Sequence, residues 1–171
     1  MKARGALSET KLQALVEWLL EQKEHDYARG MVVTFYGLLR HSDLIRLRPS
    51  DVEFGENEVL LSIIGGKGRG KEHVDEVRAT EARKTLQAAV ESAAMRFARS
   101  LFPDWSKERA NELIRTFAVK AGWDPLLKWT MHSLRHGFAA HLQRSGISEA
   151  ERKQRGRWSS SKVANWYARG D

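Results

Sequence analysis

The sequence contains no cysteine among its 171 residues, and it also lacks internal repeats, low-complexity tracts and a long linker. The lack of cysteine excludes disulfide bonds, thiolate metal ligands and a cysteine nucleophile. No apolar run approaches the roughly 18 residues of a membrane-spanning helix, and no signal-peptide core follows the first residues. We therefore expect a soluble intracellular protein that has no membrane partner.

The chain has fewer acidic than basic residues, with 22 Asp and Glu and 29 Lys and Arg, which gives a formal net charge of +7. This surplus favours a polyanionic partner, with nucleic acid as the leading candidate. The alternative interpretation is that the charge only aids solubility. Hydrophobic residues make up 42% of the chain, which predicts one globular domain over residues 1–171.

Apolar residues recur at helical spacing through much of the chain. The first predicted helix carries Leu12 and Leu19 on one face and begins after Ser8, a typical N-cap residue. A short helix capped by Ser42 should end before Pro49. Further helices are predicted over residues 26–39, 81–99, 106–120, 130–144, 148–154 and 159–168.

A change of period between residues 52 and 77 predicts strands. Val52 and Phe54, the apolar run of residues 59–64, and residues 73–77 should form a small antiparallel sheet. Residues 65–71 contain four glycines and three cations, which is typical of a mobile hairpin loop. The predicted fold class is therefore mostly α with a small antiparallel β-sheet (α+β).

The predicted helix over residues 130–144 has two chemically different faces. Leu134 and Phe138 fall within one arc, whereas His132, Arg135 and His136 occupy another. One alternative is a zinc site, because the two histidines stand four residues apart, but a serine takes the place of the glutamate in the H-E-x-x-H motif. A second alternative is a capping or solvated histidine cluster. We predict no metal site here.

These residues resemble the active site of the tyrosine recombinase and phage integrase family. In that family a histidine, two intervening residues and an arginine form one part of the site, and His132 and Arg135 have this spacing. The first arginine of the family precedes an acidic residue by three positions, as Arg40 precedes Asp43. The resemblance implies an integrase-like catalytic domain of the DNA breaking-rejoining enzymes.

The resemblance extends to a lysine and to the C-terminal end of the chain. The family lysine lies in a turn between strands that often reads G-K-G, and Lys67 stands between two glycines in the predicted hairpin, with Lys71 as the alternative. The family tyrosine follows a histidine or tryptophan by nine residues, as Tyr167 follows Trp158. The order of these elements along the chain is more specific than any one of them.

The implied activity is site-specific DNA recombination without a metal or other cofactor, through a covalent 3′-phosphotyrosine at Tyr167. Arg40 and Arg135 would bind the non-bridging phosphate oxygens, because planar guanidiniums bind them bidentately and stay charged. His132 would act as a general acid or base or as a phosphate hydrogen-bond donor, and Lys67 would protonate the departing 5′ oxygen. These residue types match the needs of metal-free phosphodiester cleavage.

Supporting roles are expected for neighbouring residues. Asp43 would orient nearby cations, Trp158 would donate its indole N–H and form a wall of the site, and His136 would be structural. Other cations are candidates for contacts with DNA phosphates, although those of residues 152–157 are also compatible with a solvated face. These candidates are Arg69, Lys71, Arg152, Lys153, Arg155 and Arg157.

The resemblance also implies double-stranded DNA as a partner and further recombinase subunits for strand exchange. Family members carry an amino-terminal core-binding domain and a C-terminal docking helix, and we expect neither in this chain, which is compatible with a monomer. Two alternative functions are DNA relaxation of the type IB topoisomerase kind and DNA binding without cleavage. The spacings from Arg40 to Asp43 and from Trp158 to Tyr167 favour a recombinase.

Overall fold

Helices and short strands alternate along the chain in the computed structural model, which describes residues 2–64 and 72–156. The helices are α1 (Glu9–Glu21), α2 (His25–Tyr36), α3 (His41–Arg46), α4 (Thr80–Met95), α5 (Lys107–Lys120), α6 (Met131–Arg144) and α7 (Glu149–Gly156). The strands are β1 (Ala3–Arg4), β2 (Val52–Phe54), β3 (Val59–Ile64), β4 (Glu72–Val77) and β5 (Leu127–Lys128). The predicted fold class is confirmed. Within the described ranges, no helix combines the length and apolar character needed to span a membrane.

Helix α2 lies in the centre of the core. Its residues from Met31 to Tyr36 are all buried, and the helix contacts α1, α4 and α6. A helix that is buried all round is stable only when other elements cover every side. Phe35 of α2 and Phe138 of α6 pack with their ring centroids 5.1 Å apart. Helix α6, which carries the predicted histidine and arginine, is therefore packed directly on the centre of the core.

Capping residues mark the start of α1, both ends of α5 and the end of α6, as predicted. The Oγ atoms of Ser8 and Ser106 each accept the backbone N–H of the third residue along, at 3.2 Å, at the starts of α1 and α5. Gly122 follows α5 with φ at +71°, and Gly146 follows α6 with φ at +80°. Glycine adopts this left-handed conformation at little cost, which is why it ends helices.

Two predicted helix ends are wrong because apolar residues continue into loops. Helix α2 ends at Tyr36 rather than residue 39, and Leu38 has φ at +52°. Leu38 and Leu39 are buried, so they satisfied the hydrophobic pattern without being helical. Helix α4 ends at Met95 rather than residue 99, and Phe97 has φ at +53°. At the end of α2 the hydrophobic periodicity therefore reports burial in a loop, whereas Phe97 after α4 is 95% exposed, so burial does not explain that misplaced end.

The start of α3 also differs from the prediction. Its N-cap is Arg40 rather than Ser42. The Asp43 side chain accepts the backbone N–H of Arg40 at 2.9 Å, so the acidic residue at the third helical position fixes the beginning of the helix. The helix ends at Arg46, before Pro49, as predicted.

Strands β2, β3 and β4 form the small antiparallel sheet. Val52 pairs with Leu61, and Val59 pairs with Val77. Alternate residues of β3, including Val59, Leu61 and Ile63, are buried, because successive side chains of a strand point to opposite faces. The predicted hairpin loop over residues 65–71 and the predicted helix over residues 159–168 lie outside the described residues.

A second, two-stranded sheet was not predicted. Strands β1 and β5 pair in parallel, with Ala3 opposite Leu127 and Arg4 opposite Lys128. Two residues per strand are too few to show a period of two in the sequence. The pairing places the beginning of the chain beside the residues that lead into α6.

Candidate active site

The N-terminus of α6 is held by two side chains. The backbone N–H of Thr130 donates to Ser133 Oγ at 3.0 Å, and the backbone N–H of Met131 donates to Asn111 Oδ1 at 3.0 Å. These bonds satisfy donors that have no acceptor within the helix. His132 lies in this first turn, so its backbone position is fixed from within α6 and also from α5.

The N-terminal segment packs against the same part of α6. The backbone N–H of Leu7 donates to the Ser133 carbonyl at 3.0 Å. A Cβ atom added at Gly137 would lie only 1.7 Å from the Leu7 carbonyl oxygen, so a glycine is required for this close approach. Together with the pairing of β1 and β5, this contact brings Arg4 towards the start of α6.

Arg135 connects α6 to the loop between α2 and α3. Its side chain is 1% exposed, and Nη1 donates to the backbone carbonyl of Leu38. Leu38 has a positive φ and precedes Arg40 by two residues. Two of the predicted catalytic arginines, 95 positions apart in the sequence, are thereby placed on neighbouring segments.

Arg40 and Asp43 form a local unit at the start of α3. The Asp43 side chain is 3% exposed, and its Oδ2 accepts the Arg40 backbone N–H at 2.9 Å. A carboxylate that accepts a backbone N–H at the first turn of a helix restrains the turn. The three-residue spacing therefore has a structural reason in this chain, because Asp43 orients the backbone of Arg40.

His132 lies among cations. Burial, and after it Arg4, Lys107, Arg135 and His41, lower the pKa of His132 from an ordinary value of 6.5 to about 4. The imidazole is therefore neutral at neutral pH and has one nitrogen that can accept a proton. Cations that converge on a partly buried position are suited to an anionic ligand, and a phosphate group has the matching charge.

Two of the predicted DNA-binding cations of α7, Arg152 and Arg155, make contacts within the protein. Arg152 is 6% exposed, and its Nη1 donates to the Ile147 carbonyl at 2.8 Å. Arg155 forms an ion pair with Glu151 at 3.1 Å. Arg152 thus holds the turn between α6 and α7, while contacts of Arg152, Lys153 and Arg155 with DNA stay predictions.

The described residues bring together one part of the predicted site. Asp43 lies in α3 and Arg40 is its N-cap, while His132 and Arg135 lie in α6, and Arg135 bonds to Leu38 in the loop before α3. His136 is 5% exposed, in keeping with the structural role predicted for it. The other predicted residues lie outside the described ranges. They are Lys67, Arg69, Lys71, Arg157, Trp158 and Tyr167.

Some residues of the site were not singled out from the sequence. Asn111, Arg4 and Lys107 are polar residues without a motif, and only their contacts with α6 or their effect on the His132 pKa places them here. A helical spacing of four residues puts Lys107 and Asn111 on one face of α5, but that signal is common in exposed helices. Among residues 2–64 and 72–156, no group of three or more His, Asp and Glu side chains is arranged to hold a metal ion.

The chain is similar in sequence to known proteins. The sequence profile of the phage integrase family matches residues 6–171. Tyrosine recombinase XerA of Pyrococcus furiosus is 30% identical over 149 residues, which cover 83% of this chain and 49% of that protein. The chain thus spans about half the length of this relative.

Solved structures of tyrosine recombinases share the fold. XerH bound to a palindromic difH substrate, in a post-cleavage complex, matches 100% of this chain and 51% of its own, with a TM-score of 0.80 at 14% identity. The XerA recombinase matches 97% of this chain and 60% of its own, with a TM-score of 0.75 at 23% identity. A lambda integrase dimer bound to a COC′ core site matches 99% of this chain and 49% of its own, with a TM-score of 0.72 at 17% identity.

Proposed function

The chain belongs to the phage integrase family, and from that premise we propose that it cleaves and rejoins DNA strands in site-specific recombination, with Tyr167 as the nucleophile. The observation that carries the proposal is the bond from Arg135 to the Leu38 carbonyl. It joins the helix of His132 to the loop that leads to Arg40, which supports a site in which residues far apart in sequence bind one phosphate. No metal or other cofactor takes part in the proposed reaction.

Arg40 and Arg135 would stabilise the charge that develops on the phosphate. The non-bridging oxygens gain negative charge in the transition state, and donors that are already in place stabilise it without reorganisation. The Arg135 guanidinium carries five N–H donors, its Nη1 bonds to Leu38, and its burial limits the competing solvation by water. Asp43 would contribute indirectly, by holding the backbone of Arg40.

His132 would assist the nucleophile. A free tyrosine hydroxyl has a pKa of about 10, so ionising it at pH 7 costs about 4 kcal/mol. The pKa of His132 is about 4 in the free chain, so its imidazole is neutral there, and the negative charge of a bound phosphate would raise that pKa and let a ring nitrogen take up the tyrosine proton. The Tyr167 oxygen would then bond to the scissile phosphorus while the bond to the 5′ oxygen breaks. The resulting 3′-phosphotyrosine conserves the bond for rejoining.

The departing 5′ oxygen needs a proton, and we propose Lys67 as its source, with Lys71 as the alternative. Trp158 would donate its indole N–H to a phosphate oxygen. Double-stranded DNA is the proposed partner, as it is for the XerH and lambda integrase structures, and further subunits are proposed for strand exchange. The proposed phosphate contacts along the DNA are Arg69, Lys71, Arg152, Lys153, Arg155 and Arg157.

Covalent capture tests the proposed nucleophile. A pool of duplexes with randomised sequence and 5′-bridging phosphorothiolate linkages should give a protein–DNA adduct that survives denaturation, because the released thiol reattacks poorly. Tyr167→Phe should abolish the adduct, and Tyr36→Phe, at the buried end of α2, should retain it. An adduct formed by Tyr167→Phe, or loss of the wild-type adduct on addition of a chelator, would overturn the proposed mechanism.

The same substrates test the proposed acid. A thiol has a pKa near 8.5, far below that of a sugar hydroxyl, so a thiolate departs without a proton. Lys67→Ala should therefore be defective on ordinary nicked duplexes and recover on the phosphorothiolate pool. If Lys71→Ala shows this recovery and Lys67→Ala does not, the acid is Lys71.

A further inference from the structure

Residues 101–105 lie along α3 and bond to both of its ends. The backbone N–H of Leu101 donates to the Leu47 carbonyl at 2.8 Å, just past the last turn of α3. The indole N–H of Trp105 donates to Nε2 of His41 at 3.1 Å, at the first residue of α3. A helix of six residues is too short to be stable by itself, so contacts from other segments determine where it lies.

Trp105 is itself fixed by aromatic packing. Its ring lies 4.6 Å from that of Tyr27 and 6.0 Å from that of Phe102, measured between centroids. A Cβ atom added at Gly30 of α2 would lie 2.3 Å from the Trp105 ring, so the ring rests directly on the backbone of that helix. The Tyr27 hydroxyl accepts the next backbone N–H, that of Ser106, at 3.1 Å. The indole N–H is therefore presented to α3 from a rigid support.

The protonation state of His41 agrees with this bond. Burial, and after it Lys107, lower the pKa of His41, while Glu108 opposes them. A neutral imidazole has one acceptor nitrogen and one N–H. Because Nε2 accepts the indole N–H, the ring proton lies on Nδ1.

We propose that Trp105 is a positioning residue for Arg40 and acts through His41. The proposal rests on the proposed function, in which Arg40 binds the scissile phosphate. Asp43 restrains the Arg40 backbone from within α3, and Trp105 restrains the next residue from outside it. A displacement of a phosphate-binding group by about 1 Å can lower a rate by about 100-fold, so both restraints matter for catalysis.

The first test is Trp105→Phe, which keeps an aromatic ring against Tyr27 and removes the indole N–H. We expect the rate of covalent capture, measured in a single turnover on the phosphorothiolate pool, to fall about tenfold while the DNA Kd changes less than about twofold. Trp18→Phe, which alters a ring packed on Phe117 at 5.3 Å, is the matched control and should retain the rate. Equal rates in these two variants would overturn the proposal.

Variants of His41 test whether the pair acts as a unit. His41→Gln offers an amide oxygen near the position of Nε2 and should keep most of the rate, whereas His41→Leu should lose as much as Trp105→Phe. The double variant Trp105→Phe, His41→Leu should lose no more than either single variant. Additive losses, or equal losses with Gln and Leu, would contradict the pairing. If urea unfolding shows that Trp105→Phe is not folded, the difference in rate between His41→Gln and His41→Leu tests the pairing instead.

If the wild-type chain forms no adduct, the proposed function is wrong, but that result does not test the positioning role of Trp105. NMR tests that role separately. The ¹⁵N signals of His41 should show a protonated Nδ1, and the amide signals of Arg40 and Asp43 should shift in Trp105→Phe but not in Trp18→Phe. Unchanged Arg40 and Asp43 signals in a folded Trp105→Phe chain would overturn the positioning role.

Discussion

At the scale of single residues, His132 shows how surroundings change the chemistry of a side chain. Burial and three nearby basic side chains, Arg4, Lys107 and Arg135, favour its neutral form. A bound phosphate would place negative charge beside the same imidazole and raise its pKa. In the proposed reaction, His132 would therefore take up a proton more readily when DNA is bound, which is the condition under which a base is needed.

Replacing His132 by Asn should reduce the loss of stability in acid. The folded pKa is about 4 and the ordinary value is 6.5, so between these pH values the unfolded chain binds more protons than the native one. The contribution of His132 to native stability is consequently fully present above pH 6.5 and is lost as pH falls towards 4. Removing the imidazole should lower the proton uptake on unfolding by up to about one. Urea unfolding between pH 4.5 and 7.5 measures this. An equal change in His25→Asn, at an exposed position, would contradict it.

Arg135→Lys should distinguish the contribution of the positive charge of this residue from that of its planar guanidinium. Lysine keeps the positive charge but lacks the planar group with five donors, so we expect the cleavage rate to fall about 100-fold. The Leu38 carbonyl loses its donor in the buried loop, which should lower the free energy of unfolding by about 1–3 kcal/mol. Single-turnover cleavage and urea unfolding measure the two effects. Arg144→Lys, at the exposed end of α6, is the control, and a similar loss in that variant would refute the assignment.

At the scale of elements, α6 is placed by contacts on several sides. Asn111 bonds to its first turn, Phe138 packs on α2, and Gly137 allows the N-terminal segment to lie directly on the helix backbone. The orientation of His132 and Arg135 is a consequence of these contacts. The position of α6 therefore depends on α2, α5 and the N-terminal segment.

Gly137→Ala should separate the N-terminal segment from α6. The added methyl group would overlap the Leu7 carbonyl, and backbone cannot move aside as a flexible side chain does. Helix propensity alone would favour alanine, but we expect the steric conflict to dominate and to lower the free energy of unfolding by about 1–3 kcal/mol. Thermal or urea unfolding measures the change. Gln143→Ala, on the exposed face of α6, should not destabilise the chain, and stabilisation by Gly137→Ala would exclude the inferred contact.

The ends of helices were predictable where a few adjacent residues determine them. Ser8, Ser106 and the glycines after α5 and α6 mark helix ends because capping bonds and positive φ depend on a few adjacent residues. The loop of Leu38 and the pairing of β1 with β5 were not predictable, because distant segments impose them. The start of α3 was misplaced because the Asp43 carboxylate, rather than the Ser42 hydroxyl, provides the bond that begins the helix.

At the scale of the whole molecule, the net charge of +7 makes a DNA partner electrostatically favourable. Part of this charge lies around His132, where cations from three elements meet. Arg4 belongs to β1, Lys107 to α5 and Arg135 to α6. Separate parts of the chain thus contribute to one positive region. We expect DNA to approach the protein at this region.

DNA binding should weaken with salt, and Lys107 should contribute to that dependence. Each phosphate contact in duplex DNA contributes about 0.9 to the slope of log K against log salt concentration. Lys107→Ala should therefore reduce the magnitude of the slope by about one, and Lys120→Ala, at the other end of α5, should leave it unchanged. Fluorescence anisotropy with duplex DNA from about 50 to 200 mM salt measures the slope. A flat dependence in the wild-type chain would argue against DNA as the partner.

The candidate residues of the site could be proposed from the sequence, whereas the residues that support them could not. Arg40, Asp43, His132 and Arg135 were proposed from their order and spacing, and their catalytic roles stay predictions. Asn111 and Trp105 bond to the elements that carry these residues, and many residue types can make such single bonds. The bond from Arg135 of α6 to the loop before α3 depends on tertiary packing, which only the folded chain displays.

The pairing of β1 with β5 has a practical consequence for protein engineering. Ala3 and Arg4 are bonded in a strand beside the start of α6, so a peptide tag or dye attached through an Ala3→Cys substitution would lie near the start of α6. In the proposed function, a tag at that position would compete with DNA for the same space and should be removed before activity is assayed. A small fluorophore attached there would instead report the arrival of DNA by quenching.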